Sequence, residues 1–391
     1  MMASSSIVQI LHAARTRIVA HGMAGLSLRA IVQDAESSLG SLHYRIGDKG
    51  ALIGVLAAEE ADERRRMAAT WEPRAAALDL SVPDTLAALI AAWLDEAATL
   101  RRDHAVAGCE LMLEATIDLA TRTGMDDMLG AEDDFWIGLL RPAAGEDATL
   151  FGRAIAGYCR DELPFTLVAS GHPDYRLLRA ATIARLAARF RAPASGIASH
   201  FEALVDRCGT PRDTAVLPVG LPEGSRKAEL AGYAAALIAE RGIAALSHRT
   251  VAARAGVANS NVAHYFRTHD DLLRAGMGAL ILGMRSELTQ GIAQQRAARG
   301  DALLRATHSV ALTALRDARL IPFALDMRRR RGENVRAEIA AGVGGAAGLD
   351  AAATQAAVVT LVGARLGALA RGDGAAFAID IAALARLRDG D

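Results

Sequence analysis

The chain has 391 residues, and its charges nearly cancel, with 44 Lys and Arg against 45 Asp and Glu. Hydrophobic residues make up 52% and charged residues 23%. This composition excludes a wholly disordered chain, and the length predicts at least two folding units. The charge balance excludes a strongly basic protein of the histone kind.

The cysteines and the apolar runs indicate the compartment. Cys109, Cys159 and Cys208 are widely spaced, and none has a second Cys or His at metal-ligand spacing. We therefore expect no disulfide framework, no metal site and no cofactor. The N-terminus lacks a basic region followed by an apolar run, and the most apolar stretch, 356–370, is broken by Arg365. We expect a cytoplasmic protein without a membrane partner.

The apolar pattern indicates an all-α fold. Apolar residues recur at helical spacing, as at Ile7, Ile10, Leu11, Ala14 and Ile18, and period-two stretches are hard to find. After the first three helices of each half, the predicted helices are 49–68, 84–102, 106–121, 126–140, 147–170 and 175–192, then 270–298, 301–317, 320–331, 333–343, 350–371 and 375–387.

A repeat divides the chain. Residues 206–224 are rich in Pro and Gly and predict a linker. One constant shift aligns the two sides of this linker without a gap, from Ala14 with Ala234 to Leu52 with Leu272. Because the identities fall at turns and helix starts, such as Gly22 with Gly242 and Ser27 with Ser247, we interpret the chain as two copies of one unit.

Each copy predicts a helix-turn-helix. The first helices, 5–20 and 225–240, end at a glycine, and a serine is positioned to cap the second helices, 28–34 and 248–254. In the second copy the turn Ala255-Gly256-Val257 precedes a third helix, Asn259 to Tyr265. Such a unit lays its third helix in the major groove of DNA.

The stretches Gly25 to Leu52 and Ala245 to Leu272 resemble the DNA-binding domain of the TetR family of bacterial transcription regulators. That signature has Thr or Ser opening helix two, an Ala-Gly-Val turn, a recognition helix ending in Leu-Tyr-x-His-Phe, and then Lys. The second copy matches through the turn and at His264-Tyr265-Phe266, and the first copy keeps Gly40, Leu42, Tyr44 and Lys49.

The copies also depart from the family pattern. In the first copy, Glu36 stands where the family has glycine, and Ile46-Gly47 replaces the usual aromatic residue. In the second copy, Ala258 occupies the helix-cap position, Ala263 replaces Tyr, and His269 replaces the phosphate-binding Lys.

Polar residues on and beside the recognition helices are the candidate DNA contacts. Asn suits bidentate pairing with adenine, Ser is nearly indifferent to the base, and Tyr, His and Lys more often hold phosphates. The second copy is therefore better equipped to read sequence. The candidates are Arg29, Ser38, Ser41, His43, Tyr44, Lys49, Arg249, Asn259, Asn261, His264, Tyr265 and His269.

The charge distribution favours DNA approach at the two modules. Residues 1–52 and 225–273 each carry a net charge of +2, whereas residues 95–162 carry fifteen acids against six arginines. The run Arg328 to Arg331 is interpreted as a solvated helix end. The acidic stretch 126–134 is interpreted as a solvated face in preference to a cation site.

We expect helix-turn-helix modules at 1–52 and 225–273 and helical regulatory domains at 53–205 and 274–391. The resemblance implies dimers that pair two long helices into a four-helix bundle. Here the small-residue segment 351–370 would pair with 150–168, so that one chain forms an intramolecular pseudodimer and acts as a monomer. Its unlike recognition helices predict an asymmetric double-stranded DNA operator.

The resemblance also implies a small-molecule effector of unknown identity, with repression as the commoner mode of action. Because the first half is richer in large side chains, we expect its cavity to be the one retained. The candidate ligand-binding residues are Trp93, His104, Cys109, Met112, Glu114, Phe135, Trp136 and Tyr158.

Two other functions compete with DNA-binding regulation. An enzyme is disfavoured because the sequence has no Gly-x-Ser-x-Gly, His-Glu-x-x-His or phosphate-loop motif. The remaining alternative is a regulator whose degenerate first module, marked by Glu36 and Gly47, does not bind DNA. Such a protein would act through protein contacts or through one half-site.

Overall fold

The computed structural model describes residues 2–191, 200–208, 221–222, 224–290, 293–345, 348–372 and 379–390. Within these ranges every regular element is helical, as the apolar pattern predicts. Most of the predicted linker, 206–224, lies outside the described residues. Among the described helices, one, Ala351–Arg371, is long and apolar enough to cross a membrane, but 83% of its apolar window is buried inside the protein.

The first half of the chain, residues 1–205, contains nine complete α-helices among its described residues, and a tenth begins in it and ends at Arg207. They are α1 Met2–His21, α2 Leu28–Asp34, α3 Leu39–Arg45, α4 Lys49–Ala75, α5 Pro83–Ala98, α6 Arg102–Ala115, α7 Met125–Ala144, α8 Ala148–Ala169, α9 Pro173–Ala187 and α10 Phe201–Arg207. Those of the second half, residues 225–391, are α11 Arg226–Arg241, α12 His248–Ala255, α13 Asn259–Tyr265, α14 His269–Gln290, α15 Ala293–Ala314, α16 Ile321–Arg329, α17 Arg336–Gly344, α18 Ala351–Arg371 and α19 Ile381–Asp389.

Most of the predicted helices lie within a few residues of the observed ones, but one predicted break is misplaced. The helix predicted for 270–298 ends at Gln290, and α15 runs from Ala293 to Ala314 across the expected break before Asp301. The prediction places that break at Gly300, yet a single glycine costs a helix only about 1 kcal/mol, and its alanine-rich flanks compensate for that cost.

The helix-turn-helix segments share one register. Short 3₁₀ turns at Met23–Gly25 and Ile243–Ala245 follow the first helices, and α12, α13 and α14 begin at the positions that the repeat aligns with the starts of α2, α3 and α4. Six pairs of aligned apolar positions have no solvent exposure in either copy: Ile10, Ala14, Ile18, Ile31, Leu42 and Leu52 with Leu230, Ala234, Ile238, Val251, Val262 and Leu272. The shared periodicity thus produces the same three-helix core twice.

The helix caps differ between the copies. The Ser247 side chain accepts a hydrogen bond from the Thr250 amide at 3.1 Å, and the Thr250 hydroxyl accepts one from the Ser247 amide at 2.9 Å. This is the predicted cap in its reciprocal form. The prediction is wrong for Ser27, whose side chain makes no cap hydrogen bond. Ala30 stands where Thr250 completes the box, so the reciprocal bond is missing.

Helices α8 and α18 cross in direct contact, which brings together the segments predicted to pair. Their backbones meet at Gly157 and Gly363, where a β-carbon on Gly363 would lie 1.8 Å from the Gly157 carbonyl oxygen. Only glycine permits this approach, because any side chain would overlap a backbone atom that cannot move independently. The largest apolar core cluster therefore takes members from both halves, such as Ile155 and Val359.

Buried ion pairs accompany this contact and correct two predictions. The run Arg328 to Arg331 is not a solvated helix end, since Arg328 is 0% exposed and Arg331 is 8% exposed. The Arg328 Nη2 atom lies 2.6 Å from Glu162 Oε2 on α8, and Arg331 Nε lies 3.0 Å from Asp161 Oδ2. These arginines are buried because the acids of α8 require counter-charges inside the protein.

The acidic stretch 126–134 is likewise not wholly a solvated face. Glu132 and Asp133 are buried, and Arg160 pairs with both. Asp133 also accepts a hydrogen bond from Arg371 of α18 at 2.7 Å. Asp133 therefore contributes to the interior contact between the halves, and Glu132 is buried beside it.

Burial alone would raise the pKa of Asp161, but the neighbouring Arg331 guanidinium and His308 lower it to about 2. His308 Nε2 lies 3.1 Å from Asp161 Oδ1. The carboxylate therefore stays ionised at neutral pH and holds residues of the second half against α8.

The α8–α18 crossing predicts the effect of one added methyl group. Gly363→Ala should lower the free energy of unfolding by about 3 kcal/mol, because the crossing helices must move apart. In Gly138→Ala the new β-carbon meets nothing within 4 Å, so this control should be neutral or stabilising by about 0.5–1 kcal/mol. Urea unfolding measures both variants, and equal stabilities would contradict the packing argument.

The Glu162–Arg328 pair yields a second prediction. Glu162→Gln leaves the Arg328 guanidinium buried without its counter-charge and should destabilise the fold by about 3–5 kcal/mol. The double variant Glu162→Gln, Arg328→Met removes both charges and should recover part of that loss. A double-mutant cycle by chemical denaturation measures the coupling, and additive losses would show that the two charges do not interact.

Candidate nucleic-acid interface

One buried apolar residue anchors each recognition helix. Leu42 holds α3 and Val262 holds α13 on the module core, and neither has solvent exposure. The polar residues of the same helices are therefore directed outward. Exposed side chains include Ser38, His43 and Tyr44 in the first copy and Asn259, Asn261, His264 and Tyr265 in the second, whereas Ser41 is half-buried.

The candidate contact residues of the two recognition helices differ in solvent exposure and in their hydrogen bonds. Tyr44 is 92% exposed and Tyr265 37% exposed. The Tyr265 ring meets the His264 ring edge-on, with centroids 5.2 Å apart. The Ser38 side chain caps α3 by accepting a hydrogen bond from the Ser41 amide at 3.1 Å. Ala258 makes no such bond at the start of α13, as the sequence indicates.

The remaining candidates lie at the edges of the recognition helices. Arg29 and Arg249 are exposed on the second helix of each copy, and Lys49 is exposed at the first position of α4. The exposed His269 ring is already engaged, since Nε2 lies 3.0 Å from the Leu246 carbonyl oxygen. His269 thus helps to hold the module together while remaining at the surface.

Arg45, at the end of α3, is exposed and was not among the predicted contacts. Its Nε donates a hydrogen bond to the Ser41 hydroxyl at 3.2 Å. The signal that could have indicated it is a basic side chain in the last turn of a recognition helix, where a cation is favoured by the helix dipole.

In each module an ion pair joins the first two helices, but the helix that carries the basic residue differs between the copies. In the first copy Arg17 on α1 pairs with Asp34 on α2 at 2.6 Å. In the second copy Glu240 on α11 pairs with Arg254 on α12 at 2.5 Å. The repeat aligns Arg254 with Asp34, so the equivalent position carries opposite charge in the two modules.

The turn between the second and third helices is strained in one copy only. Glu36 has φ +48°, whereas Gly256 has φ +65° at the corresponding turn. A side chain at positive φ costs about 1–2 kcal/mol, and glycine avoids that cost. The exposed Glu36 carboxylate also places negative charge beside the recognition helix.

Replacing Glu36 separates strain from charge. Glu36→Gly should stabilise the chain by about 1 kcal/mol and strengthen DNA binding, because it removes both defects. Glu36→Gln keeps the β-carbon and should strengthen DNA binding without a comparable gain in stability. Thermal unfolding and fluorescence anisotropy on duplex DNA measure the two effects. Destabilisation by glycine would rule out the strain.

A residue of the second half contacts the first module. Arg316, which follows α15, donates hydrogen bonds to the carbonyl oxygens of Ile18 and Val19 at 2.7 and 2.8 Å. It also pairs with Glu110 of α6 at 2.7 Å. Arg316 thereby binds two carbonyl oxygens in the last turn of α1, where helix carbonyls run out of intrahelical partners, although the Ile18 oxygen also accepts the Gly22 amide at 2.8 Å. Sequence reasoning missed this contact because it joins opposite halves of the chain.

A cavity lies in the first half among α4, α5, α6, α7 and α8, and its empty volume is about 570 Å³ with its open mouth included. Of the candidate ligand-binding residues, Trp93, His104, Cys109 and Met112 line it. Glu114, Phe135, Trp136 and Tyr158 are not among its lining residues. Trp136 packs edge-on against Trp93 and Phe135, and the Tyr158 hydroxyl lies 2.7 Å from Thr182 Oγ1.

Thiol chemistry is not favoured in this cavity. Burial raises the pKa of Cys109 to about 12, so its side chain is a neutral thiol at physiological pH. Burial also raises the pKa of Cys208 to about 11 and that of Cys159 well above its ordinary value. No group of three or more His, Cys, Asp or Glu suited to a metal ion occurs within the part of the chain that the structure describes.

Residues 233–275 match the family described as "Bacterial regulatory proteins, tetR family". The match covers the last part of α11, all of α12 and α13, and the start of α14. No curated protein matches the chain. The second helix-turn-helix is thus similar to the DNA-binding region of tetR-family regulators, which indicates a DNA-binding transcriptional regulator.

Proposed function

We propose that this protein is a ligand-responsive transcriptional regulator in which two tetR-type units are fused in tandem. It presents two non-identical recognition helices to one asymmetric operator. The observation that carries the proposal is the recurrence of the same helix-turn-helix in a constant register, with unlike polar faces exposed on α3 and α13.

The contacts between the halves support an intramolecular pseudodimer. Helices α8 and α18 pack against each other, α9 also contacts α18, and α19 contacts α8. Arg185 on α9 pairs with Asp350 before α18 at 2.7 Å. These contacts support the proposal that a single chain supplies an arrangement of the kind that a homodimer assembles from two subunits. We expect a monomer in solution, with the chain mass of 41.0 kDa.

Unlike half-sites follow from the unlike side chains. The first recognition helix carries Ser41, His43 and Tyr44, whereas the second carries Asn259, Asn261 and His264. Asn is the residue suited to adenine, and the first set is better suited to phosphates. The second half-site should therefore contribute most of the sequence preference, while the first module contributes affinity.

Regulation would follow from linkage between ligand and DNA. A molecule that binds better when the recognition helices are wrongly placed must weaken DNA binding by the same factor. The cavity of the first half is the proposed ligand site. Repression in the bacterial cytoplasm is the proposed mode of action, with double-stranded DNA and a small effector as partners.

The alternative function is a regulator that binds DNA through its second module only. The positive φ of Glu36 and its carboxylate favour this alternative, because both disfavour a close approach to phosphates. In that case the protein would act through protein contacts of its first module, or would bind only one half-site of the operator.

Selection of binding sites from a random duplex pool tests the proposal. The expected result is a bound sequence with two different half-sites about one helical turn apart. Perfect palindromes would contradict the asymmetric operator, and failure to enrich any sequence would contradict sequence-specific regulation.

Paired variants then separate one-module from two-module binding. Asn259→Ala with Asn261→Ala should abolish sequence preference, at about 1–3 kcal/mol for each lost base contact. Ser41→Ala with Tyr44→Ala should weaken binding if both modules engage DNA, and should leave it unchanged under the alternative. Leu177, exposed on α9 away from both modules, provides the control variant Leu177→Ala. Anisotropy titrations at fixed salt measure all three.

A further inference from the structure

We propose that the cavity of the first half binds a small apolar molecule bearing a carboxylate, and that this carboxylate pairs with Arg64. We further propose that binding is transmitted to α1 through Glu60 and Arg15. The inference deepens the proposed function and rests on it, since it names the ligand class and the route of regulation.

The walls of the cavity select an apolar ligand body. Its apolar lining comes from several different helices and includes Met67, Trp93, Met112, Leu129 and Leu163. Trp93 and Met112 can pack against a ring or an alkyl chain. Ligand sites of this kind obtain specificity from a small number of polar groups among apolar walls.

The carboxylates that line the cavity are already paired with cations. Glu63 pairs with Arg66 at 2.7 Å and also with Arg101. Glu132 accepts a hydrogen bond from Arg160 Nε at 3.1 Å. Burial raises the pKa of Glu132 even though Arg160 and Arg64 oppose the rise. A cationic ligand would therefore have to displace a partner that is present.

Arg64 differs from the other charged groups of the wall. Its Nη1 donates a hydrogen bond to the Glu60 carbonyl oxygen at 3.3 Å. Within the described residues, no carboxylate forms an ion pair with its guanidinium. Since every lining acid has a cation and this cation has only a carbonyl, an anionic group is the complementary ligand feature. A guanidinium can bind a carboxylate through two parallel hydrogen bonds.

Gly108 provides the space in which Arg64 lies. A β-carbon on Gly108 would be 2.6 Å from Arg64 Nη2. The guanidinium therefore reaches from α4 across to the backbone of α6, at the lining of the cavity. A side chain at position 108 would have to push it away from this place.

Glu60 connects the cavity to the first module. Its side chain is 1% exposed and accepts a hydrogen bond from Arg15 Nε of α1 at 3.0 Å. His104 Nδ1 of α6 lies 3.1 Å from both oxygens of the same carboxylate. Glu60 also stands one helical turn before Arg64 and bonds to it. A ligand held by Arg64 therefore acts on the residue that pairs with Arg15 of α1.

The second half has no equivalent polar connection among its described residues. The repeat aligns Arg15 with Ala235 and Glu60 with Leu280, and both of these apolar residues are buried. The contact between α11 and α14 is apolar at this place. The ligand should accordingly change the position of the first module and leave the second module bound to its half-site.

Calorimetry on the full-length chain tests the ligand class. Phenylacetate and hexanoate are the probes, each compared with its amide and with an amine of the same size. Carboxylates should bind at least tenfold more tightly than the amides, and the amines should not bind. Equal binding of amide or amine, or no binding by either carboxylate, would overturn the ligand class.

Variants of α4 and α6 test the role of Arg64. Arg64→Met and Gly108→Ala should each weaken carboxylate binding at least tenfold. Arg65→Met is the matched control, because Arg65 is exposed on the same helix and pairs with Asp62 and Asp127 outside the cavity. Unchanged affinity in Arg64→Met, with thermal unfolding like that of the unaltered chain, would overturn the assignment.

Anisotropy on the selected operator tests the transmission. Saturating phenylacetate should weaken DNA binding by the unaltered chain several-fold. Arg15→Met and the milder Arg15→Gln should keep carboxylate binding, because Arg15 does not line the cavity, but should lose this effect on DNA. A full effect in both variants would overturn the proposed route. If the unliganded chain fails to bind DNA at all, the proposed function fails. If DNA binds but carboxylates change nothing, only the regulation by this route fails.

Discussion

The packing of the second half on α8, through the α8–α18 crossing and the buried ion pair of Glu162 with Arg328 on α16, is the constraint on which the rest of the structure depends. The two backbones can meet only because Gly157 and Gly363 lack side chains. Neither charge of the ion pair has solvent exposure. A buried charge without its partner is costly, so the second half has to stay in register with α8. This fixed crossing holds the helices of the two halves together.

The two helix-turn-helix modules are bound to the rest of the chain by different contacts. Arg316 of the second half donates hydrogen bonds to the end of α1. The turn that follows α11 in the second module instead donates a hydrogen bond within its own half, from the Ile243 amide to Ser309 Oγ at 3.3 Å. The first module also joins the cavity through Arg15 and Glu60, a connection that Ala235 and Leu280 replace in the second. Two segments of one chain can diverge in this way, because a homodimer would impose every substitution twice.

Much of the candidate interface could be predicted from the sequence. The core positions recur at helical spacing, and glycines occur where the chain must turn with positive φ. Polar side chains at such spacing cannot be placed in a small three-helix core, so their exposure on α3 and α13 follows from the pattern. The prediction of a Ser27 cap is wrong, since the Ser27 side chain makes no cap hydrogen bond.

The sequence by itself determined the helical class and the shared register of the two three-helix segments, because these depend on local patterns of neighbouring residues. Only the tertiary structure decided which charged side chains are buried. Arg328 and Arg331 resemble a solvated run in sequence, yet they are buried against Asp161 and Glu162, which lie in the other half of the chain. A charge is buried or exposed according to the counter-charge that folding brings to it, and periodicity carries no information about a partner so distant.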